Sequence, residues 1–351
     1  MPGDQPAPSR AFPRAAFSLL AAALLLFLVW RLADVMILAF AAVIVAVLLR
    51  SVADPICRRT PLGEGASLLV AGAMILAVFG MAGWLFGATV GGQVSELLDR
   101  LPKSPEELKR LLDRLPWGDE LSGQIADVGA WAGRMEGVAG RVGGYAMNAV
   151  SALTNAALVL VAGVYFAAKP PQGRDGLLLL APKGAVEPLK EALDTSGRAL
   201  RLWLLGTFAD MAVVGLLTAI GAALIGLPSP LALGLFAGLA AFVPIIGPIV
   251  SVLPAVLLAL QEGPQMVLWA VLVYVAVQQV ESNLVYPFIQ RRAVDLAPAA
   301  TLFGVLGFGV LLGPLGVIFA TPLLVVLTVF VKLLYVRRVL GKEVSVPGLS
   351  G

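Results

Sequence analysis

Apolar residues run in long blocks along this chain, without the strict alternation of half-buried strands. The stretches 66–92, 146–168 and 296–331 contain no charged residue. Each is long enough for a helix across a hydrocarbon core of about 30 Å at about 1.5 Å per residue. The pattern predicts helices over Ala15–Trp30 and Val35–Leu49, a third span over Ala66–Val90, and a fourth from near Met147 to Ala168. Later come Leu202–Ile225 and Met266–Tyr286, the latter stopped by Pro287, then Pro298–Leu312 and Leu315–Leu334 on either side of Gly313-Pro314. No small-x-small cleavage site follows Trp30, and the next apolar run starts almost at once. The first two runs therefore read as an antiparallel pair, the first uncleaved.

Polar segments divide these blocks. Residues 1–14 are rich in proline and small side chains and read as a disordered N-terminus. Residues 15–92 hold the first three helices. Residues 93–145 carry 7 basic and 9 acidic residues, so they do not cross lipid. Within them Ser104-Pro105-Glu106-Glu107 is a helix start, with an N-cap serine, proline in the first turn and glutamate at the capping-box position. Leu108, Leu111, Leu112 and Leu115 then form one apolar stripe. This excursion either lies on the membrane or a partner subunit, or packs on its own chain. Its net charge and the parity of three spans favour the extracytoplasmic side. Residues 146–168 form the fourth helix. Residues 169–201 form a cytoplasmic loop with a short amphipathic helix near Glu187–Leu200, residues 202–336 a C-terminal core, and 337–351 a cytoplasmic tail. Basic residues flank the first helix pair and follow the last helix, which places both termini in the cytoplasm.

The C-terminal core has an unusual texture. From Leu202 to Gln290 there are three charges, all acidic: Asp210, Glu262 and Glu281. An apolar stretch is broken by Pro244, Gly247, Pro248 and Pro254, and in it Leu235-Phe236-Ala237 leads to Gly247-Pro248 and then Pro254. Leu302-Phe303-Gly304 leads similarly to Gly313-Pro314 and then Pro322. Two Gly/Pro-broken apolar segments in corresponding places point to a transporter's solute site, because backbone groups freed by Pro and Gly must be buried in protein or line a cavity. Glycine and proline are also common in membrane helices that merely pack. If 231–247 and 298–312 are re-entrant, the chain has about eight spans and Arg291 and Arg292 fall outside. If both cross fully, the count is about ten, with some uncomfortably short.

Composition sharpens the class. Hydrophobic residues make up 59% of the 351 and charged residues 13%, against about 45–50% and roughly 25% in soluble domains. The fold expected is all-α and polytopic, about eight transmembrane helices with two broken segments and one amphipathic excursion. There is no histidine, so no Ser-His-Asp triad, histidine metal ligand or histidine proton relay exists. The single cysteine, Cys57, excludes intrachain disulfides. No cofactor or metal site is expected. The net charge of +3 fits basic cytoplasmic loops, so nucleic acid is not an expected partner and the lipid bilayer is.

The C-terminal half carries Pro244-Ile245-Ile246-Gly247-Pro248, Val277-Gln278-Gln279-Val280-Glu281-Ser282-Asn283, Pro287-Phe288-Ile289-Gln290, Gly313-Pro314-Leu315-Gly316 and Ala320-Thr321-Pro322. In these motifs it resembles the autoinducer-2 exporter family of bacterial membrane proteins. The N-terminal half fits the family's layout, with Tyr165-Phe166 ending the fourth helix, and the resemblance covers roughly residues 15–335. It implies a permease of the bacterial inner membrane that exports a small polar solute such as a quorum-sensing signal, or exchanges sodium for protons. It also implies a homo-oligomer with an elevator-like motion. Many members carry histidine before Pro298, where this chain has Leu296-Ala297, so histidine-dependent coupling is not expected.

The candidate pathway residues are Asp210, Gln278, Gln279, Glu281 and Asn283. Glu281 stands about fifteen residues into its helix, and helical spacing puts Gln278 and Ser282 on its face and Gln279 with Asn283 on another. A carboxylate inside an apolar span is a functional candidate by default, either neutral or paired. The bland alternative for Glu281 is an interfacial pair with Arg291 or Arg292. Asp210 lies about nine residues beyond Arg201, roughly 13 Å deeper, where its bland alternative is a structural bond between helices. The broken-helix motif comprises Pro244, Gly247, Pro248, Gly313, Pro314 and Pro322. Trp30, Trp84, Trp203 and Trp269 read as interfacial belts. An ion-driven exporter of a small organic solute leads. A sodium/proton antiporter, a non-transporting scaffold and, last, an intramembrane enzyme follow.

Overall fold

A computed structural model describes residues 32–78, 80, 81, 84, 142–285, 287 and 296–349. The expected first helix, nearly all of the 93–145 excursion, and Arg291 and Arg292 lie outside the described residues. Those residues form helices and turns, with no strand among them. We number the helices α1 (Ala33–Arg59), α2 (Glu64–Val78), α3 (Val142–Ala168), α4 (Pro170–Leu178), α5 (Val186–Leu224), α6 (Pro230–Ala240), α7 (Ile246–Glu262), α8 (Pro264–Val280) and α9 (Pro298–Phe330). Alpha-helix gives way to π-helix at Glu281–Val285 after α8 and at Val331–Arg337 after α9.

Large apolar side chains cover the outside of the bundle, among them Leu69, Val161, Leu216, Leu231 and Val310. In water this would be untenable; in lipid the acyl chains are the solvent, and helices hide their backbone polar groups internally. The chain is a multi-pass helical membrane protein.

Glycines let helices approach to backbone contact. A methyl group on Gly238 of α6 would lie 2.6 Å from the Met211 carbonyl oxygen of α5, and one on Gly215 of α5 would lie 3.0 Å from the Gly234 carbonyl oxygen. This is the small-xxx-small seam of membrane helix pairs. Likewise α3 meets α1 at Gly163, where a methyl would reach 2.6 Å from Val45 Cγ1.

The segment expected as a short helix plus a separate span is one helix. α5 runs 39 residues, about 58 Å at 1.5 Å per residue. Its first turns stand outside the apolar layer, where Arg174 Nη1 meets Asp194 at 3.0 Å and Arg338 meets Glu191 at 3.2 Å. Hydrogen bonds that Arg174 donates to Asp194 and then to Asp175 hold its guanidinium pKa above the usual value. Arg201 reaches Asp54 of α1 at 3.2 Å, and Arg50 Nε donates to the Ala167 carbonyl at 2.6 Å. The ends of α1, α3, α5 and α9 thus share one charged rim. The last described residues also fold back on α5: Val346 is buried, and Arg198 Nε donates to the Gly348 carbonyl at 3.0 Å.

Both broken segments double back. α6 has 11 residues, about 16 Å of helix; it turns at 241–245 and returns as α7. Within α9, Gly313 adopts φ 65°, ψ −151°, which only glycine accepts readily. A methyl on Gly309 would come within 2.8 Å of Val317 Cγ2, and one on Gly304 within 2.9 Å of Leu324 Cγ. In a straight helix, residues 304 and 324 would stand about 30 Å apart. Arms 298–312 and 314–330 therefore lie antiparallel, a hairpin and not the single rod that unbroken hydropathy suggests.

Candidate solute cavity

Helices α5, α6, α7 and α8, with the α6–α7 turn, surround a cavity of about 560 Å³. From α5 come Trp203, Thr207, Asp210, Val214 and Thr218. Their spacing of three and four places them on one helical face. From α8 and the π turn that continues it come Tyr274, Gln278, Glu281 and Ser282, at the same spacing. Leu296, Pro298, Thr301 and Thr321 close a further side.

The two deep acids expected from sequence thus face one space from different helices. Glu281 is held by neighbours on its own helix. Gln278 Nε2 donates to Glu281 Oε2 and, at 3.3 Å, to Ser282 Oγ, while Ser282 Oγ donates to the same carboxylate oxygen at 3.0 Å. Glu281 also opens the π turn, where the helix widens; such turns are frequent at functional sites. Asp210 differs, because its Oδ1 is buried with no hydrogen-bond partner. The interhelical bond offered as its bland alternative does not engage that oxygen.

Two more polar groups at the wall lack partners: Thr218 Oγ1 and Tyr274 Oη, in residues only 1% and 6% exposed. Each buried unpartnered polar group costs roughly 1–3 kcal/mol. Three around one cavity make a site that a polar solute or water stabilises by binding.

The α6–α7 turn is strained where it meets the cavity. Ile245 has φ 70° and ψ −53°, and the Ile246 amide donates to the Pro244 carbonyl at 2.8 Å. That is a positive-φ γ-turn, a rare and strained form, built here on a β-branched residue. Gly247 follows because any Cβ there would collide with the Ala240 carbonyl oxygen. Pro244 and Pro248 line the cavity; Ser251 Oγ donates to the Pro248 carbonyl at 2.8 Å.

Other expected residues sit elsewhere. Gln279 and Asn283 face away from the cavity on the exposed side of α8, where Asn283 Nδ2 donates to the Gln279 carbonyl at 2.8 Å. Gly313 and Pro314 form the far tip of the second hairpin, with Pro314 exposed, and do not line the cavity. Pro322 is buried beside Thr321. Trp203, expected in an interfacial belt, is instead a buried wall residue, edge-on to Phe242 at 5.8 Å. Its indole packs at the meeting of α5 and the α6–α7 turn, where lipid has no access. Trp84 and Trp269 are exposed, and Trp30 lies outside the described residues. Sequence reasoning missed Thr218, Tyr274, Thr301 and Thr321. For Thr218 and Tyr274 the signal was available, since each continues the face of a named acid at spacings of three or four.

Among the described residues no group of three metal-ligating side chains occurs. Comparison with known proteins gives a family. The model of the "AI-2E family transporter" family matches residues 17–335. A "Putative transport protein YrrI" of Bacillus subtilis is 32% identical over 141 residues, 40% of this chain and 39% of that protein. A "Putative transport protein MT0215" of Mycobacterium tuberculosis is 30% identical over 182 residues, 50% of this chain and 48% of that protein. The chain thus spans less than half the length of these curated relatives. The family match covers most of the chain, including both hairpins and the cavity between α5 and α8, and on that ground the chain belongs to the AI-2E transporter family.

Proposed function

We propose that this membrane permease moves a small polar organic solute out of a bacterial cell through the cavity among α5, α6, α7 and α8, driven by an ion gradient acting at Asp210 and Glu281. One observation carries the reading: two carboxylates from different helices meet unpartnered hydroxyls in a single cavity at a strained hairpin turn. A solute that satisfies those groups gains what the empty site forgoes. A carboxylate pair in a low-dielectric space has a strong reason to exchange a proton for another partner. This is a transport role and not a catalytic one. The rim of ion-paired basic residues on α1, α4 and α5 supports a cytoplasmic position for that end, and so for both termini, in the inner membrane. The family resemblance favours export and a homo-oligomer. Sodium/proton antiport is the second reading, favoured by the same two carboxylates. The cavity's size and its mainly apolar wall favour an organic solute over a bare ion.

The test is flux in proteoliposomes under an imposed proton gradient, comparing wild type with Glu281→Gln and Asp210→Asn. Each substitution is expected to lower coupled flux at least about tenfold, the equivalent of 1.4 kcal/mol. Unchanged flux in both variants defeats the proton-carrier assignment. Proton-coupled sodium flux without any organic-solute movement would favour the antiporter.

A further inference from the structure

The cavity has a charge class as well as a shape. Asp210 and Glu281 enter it, and none of its described lining residues is lysine or arginine. The nearest cation along α5, Arg201, is committed to Asp54 at 3.2 Å. Arg50, on the same rim, is committed to the Ala167 carbonyl and to Glu64. Neither arginine lines the cavity, so neither neutralises the two acids from within it.

The remaining wall suits an organic group. Trp203, Phe242 and Tyr274 bring three aromatic rings to the cavity. An aromatic face attracts a cation, more strongly when water is excluded. Val214, Val252, Val271 and Val275 supply an apolar surround. Tyr274 Oη and Thr218 Oγ1 remain open to a ligand, in residues more than nine-tenths buried. A volume of about 560 Å³ falls within the range of organic ligand sites and far exceeds what a dehydrated metal ion fills.

We infer that the solute accepted by this cavity is a small organic cation, an amine or quaternary ammonium held between the Asp210 and Glu281 carboxylates and the aromatic wall. Its hydroxyl or amine hydrogens would reach Tyr274 and Thr218. The inference rests on the reading of the cavity as the solute path and adds the solute's charge. Among the described lining residues an anionic solute would meet two acids and no counter-charge, and a neutral one would bring no charge to either carboxylate.

The decisive comparison changes charge alone. Choline and 3,3-dimethylbutan-1-ol have nearly the same shape, one with nitrogen at the branch point and a positive charge, the other with carbon and none. Binding of each to the purified full chain is measured by calorimetry, and uptake by counterflow into proteoliposomes, with tetraethylammonium as a second cation. Choline or tetraethylammonium is expected to bind at least about tenfold more tightly than the neutral alcohol, a difference of about 1.4 kcal/mol. The Asp210→Asn/Glu281→Gln double variant is expected to lose that preference. Because the cation–alcohol contrast is read on wild type, a double variant that fails to fold leaves the test intact. Equal binding of cation and alcohol, or no binding of either cation, overturns the inference. A neutral sugar that moves while the cations do not overturns it and leaves the permease reading standing. Cations that bind with the expected preference but do not move support the inference and defeat transport.

Discussion

The second hairpin can be tested by chemistry that two architectures answer differently. In a single helix across Pro298–Phe330, residues 304 and 324 would lie about 30 Å apart. In the hairpin a Cβ on Gly304 would touch the Leu324 side chain, 2.9 Å from its Cγ. Replacing both residues with cysteine removes the Leu324 atoms that would obstruct the new Cβ. A disulfide needs Cα atoms within about 7 Å, so only the hairpin brings the pair into range. The background is simple, because Cys57 is the only native cysteine and a Cys57→Ser chain has none. Mild oxidation of Gly304→Cys/Leu324→Cys is expected to yield a monomer whose two thiols resist maleimide until reduced. Closing a loop of about twenty residues should then stabilise the chain by roughly 3 kcal/mol in the chain-entropy picture, seen as a higher thermal midpoint in detergent. Two freely labelled thiols after oxidation, with the chain still monomeric and folded, would refute the hairpin.

Three further outcomes follow from packing. Gly238→Val drives a branched side chain into the Met211 carbonyl of α5, and overpacking of this kind costs about 1–3 kcal/mol. Its thermal midpoint should fall, whereas Gly176→Ala, which meets nothing within 4 Å, should change little. Ile245→Gly relieves a positive-φ conformation worth roughly 1–3 kcal/mol and returns about 0.5–1 kcal/mol to the unfolded chain. The variant should therefore be more stable, by about 1 kcal/mol, in reversible denaturation; a loss of stability would contradict the strain assignment. Gly348→Val, at φ 80° and with its Cβ 2.8 Å from the Thr195 carbonyl, should free the C-terminal segment from α5, so that trypsin cuts at Lys342 sooner than in wild type.

Several features of the site were legible as spacing. The α8 face of Gln278, Glu281 and Ser282 follows from a helical repeat of 3.6, and the structure shows those three side chains bonded to one another. The same repeat separates Gln279 and Asn283 from them, yet only the fold reveals that this second face is exposed. Spacing within one helix fixes which residues share a face. It cannot fix what that face meets.

The two hairpins make the same point. Gly247-Pro248 and then Pro254 read almost identically to Gly313-Pro314 and then Pro322, and each Gly-Pro step stands at or next to the turn of its hairpin. One turn lines the cavity and the other lies at the far end of its hairpin, because the seam of Gly215, Gly234 and Gly238 fixes α6 against α5 and so aims the first turn inward. Trp203 is a parallel case: its chemistry suits a membrane interface, and the packing of Phe242 against it buried it.

Sequence by itself determined the solvent, the secondary structure and the chemistry. Long charge-free runs require lipid-embedded helices, since no other element of that length hides its backbone in hydrocarbon. The absence of histidine left carboxylates as the titratable groups of the C-terminal core. Tertiary structure alone decided that Asp210, on α5, and Glu281, at the π turn after α8, face one cavity. Residues 71 positions apart are related by no local periodicity; their meeting depends on helices brought together by glycine seams and tight turns, which is a property of packing.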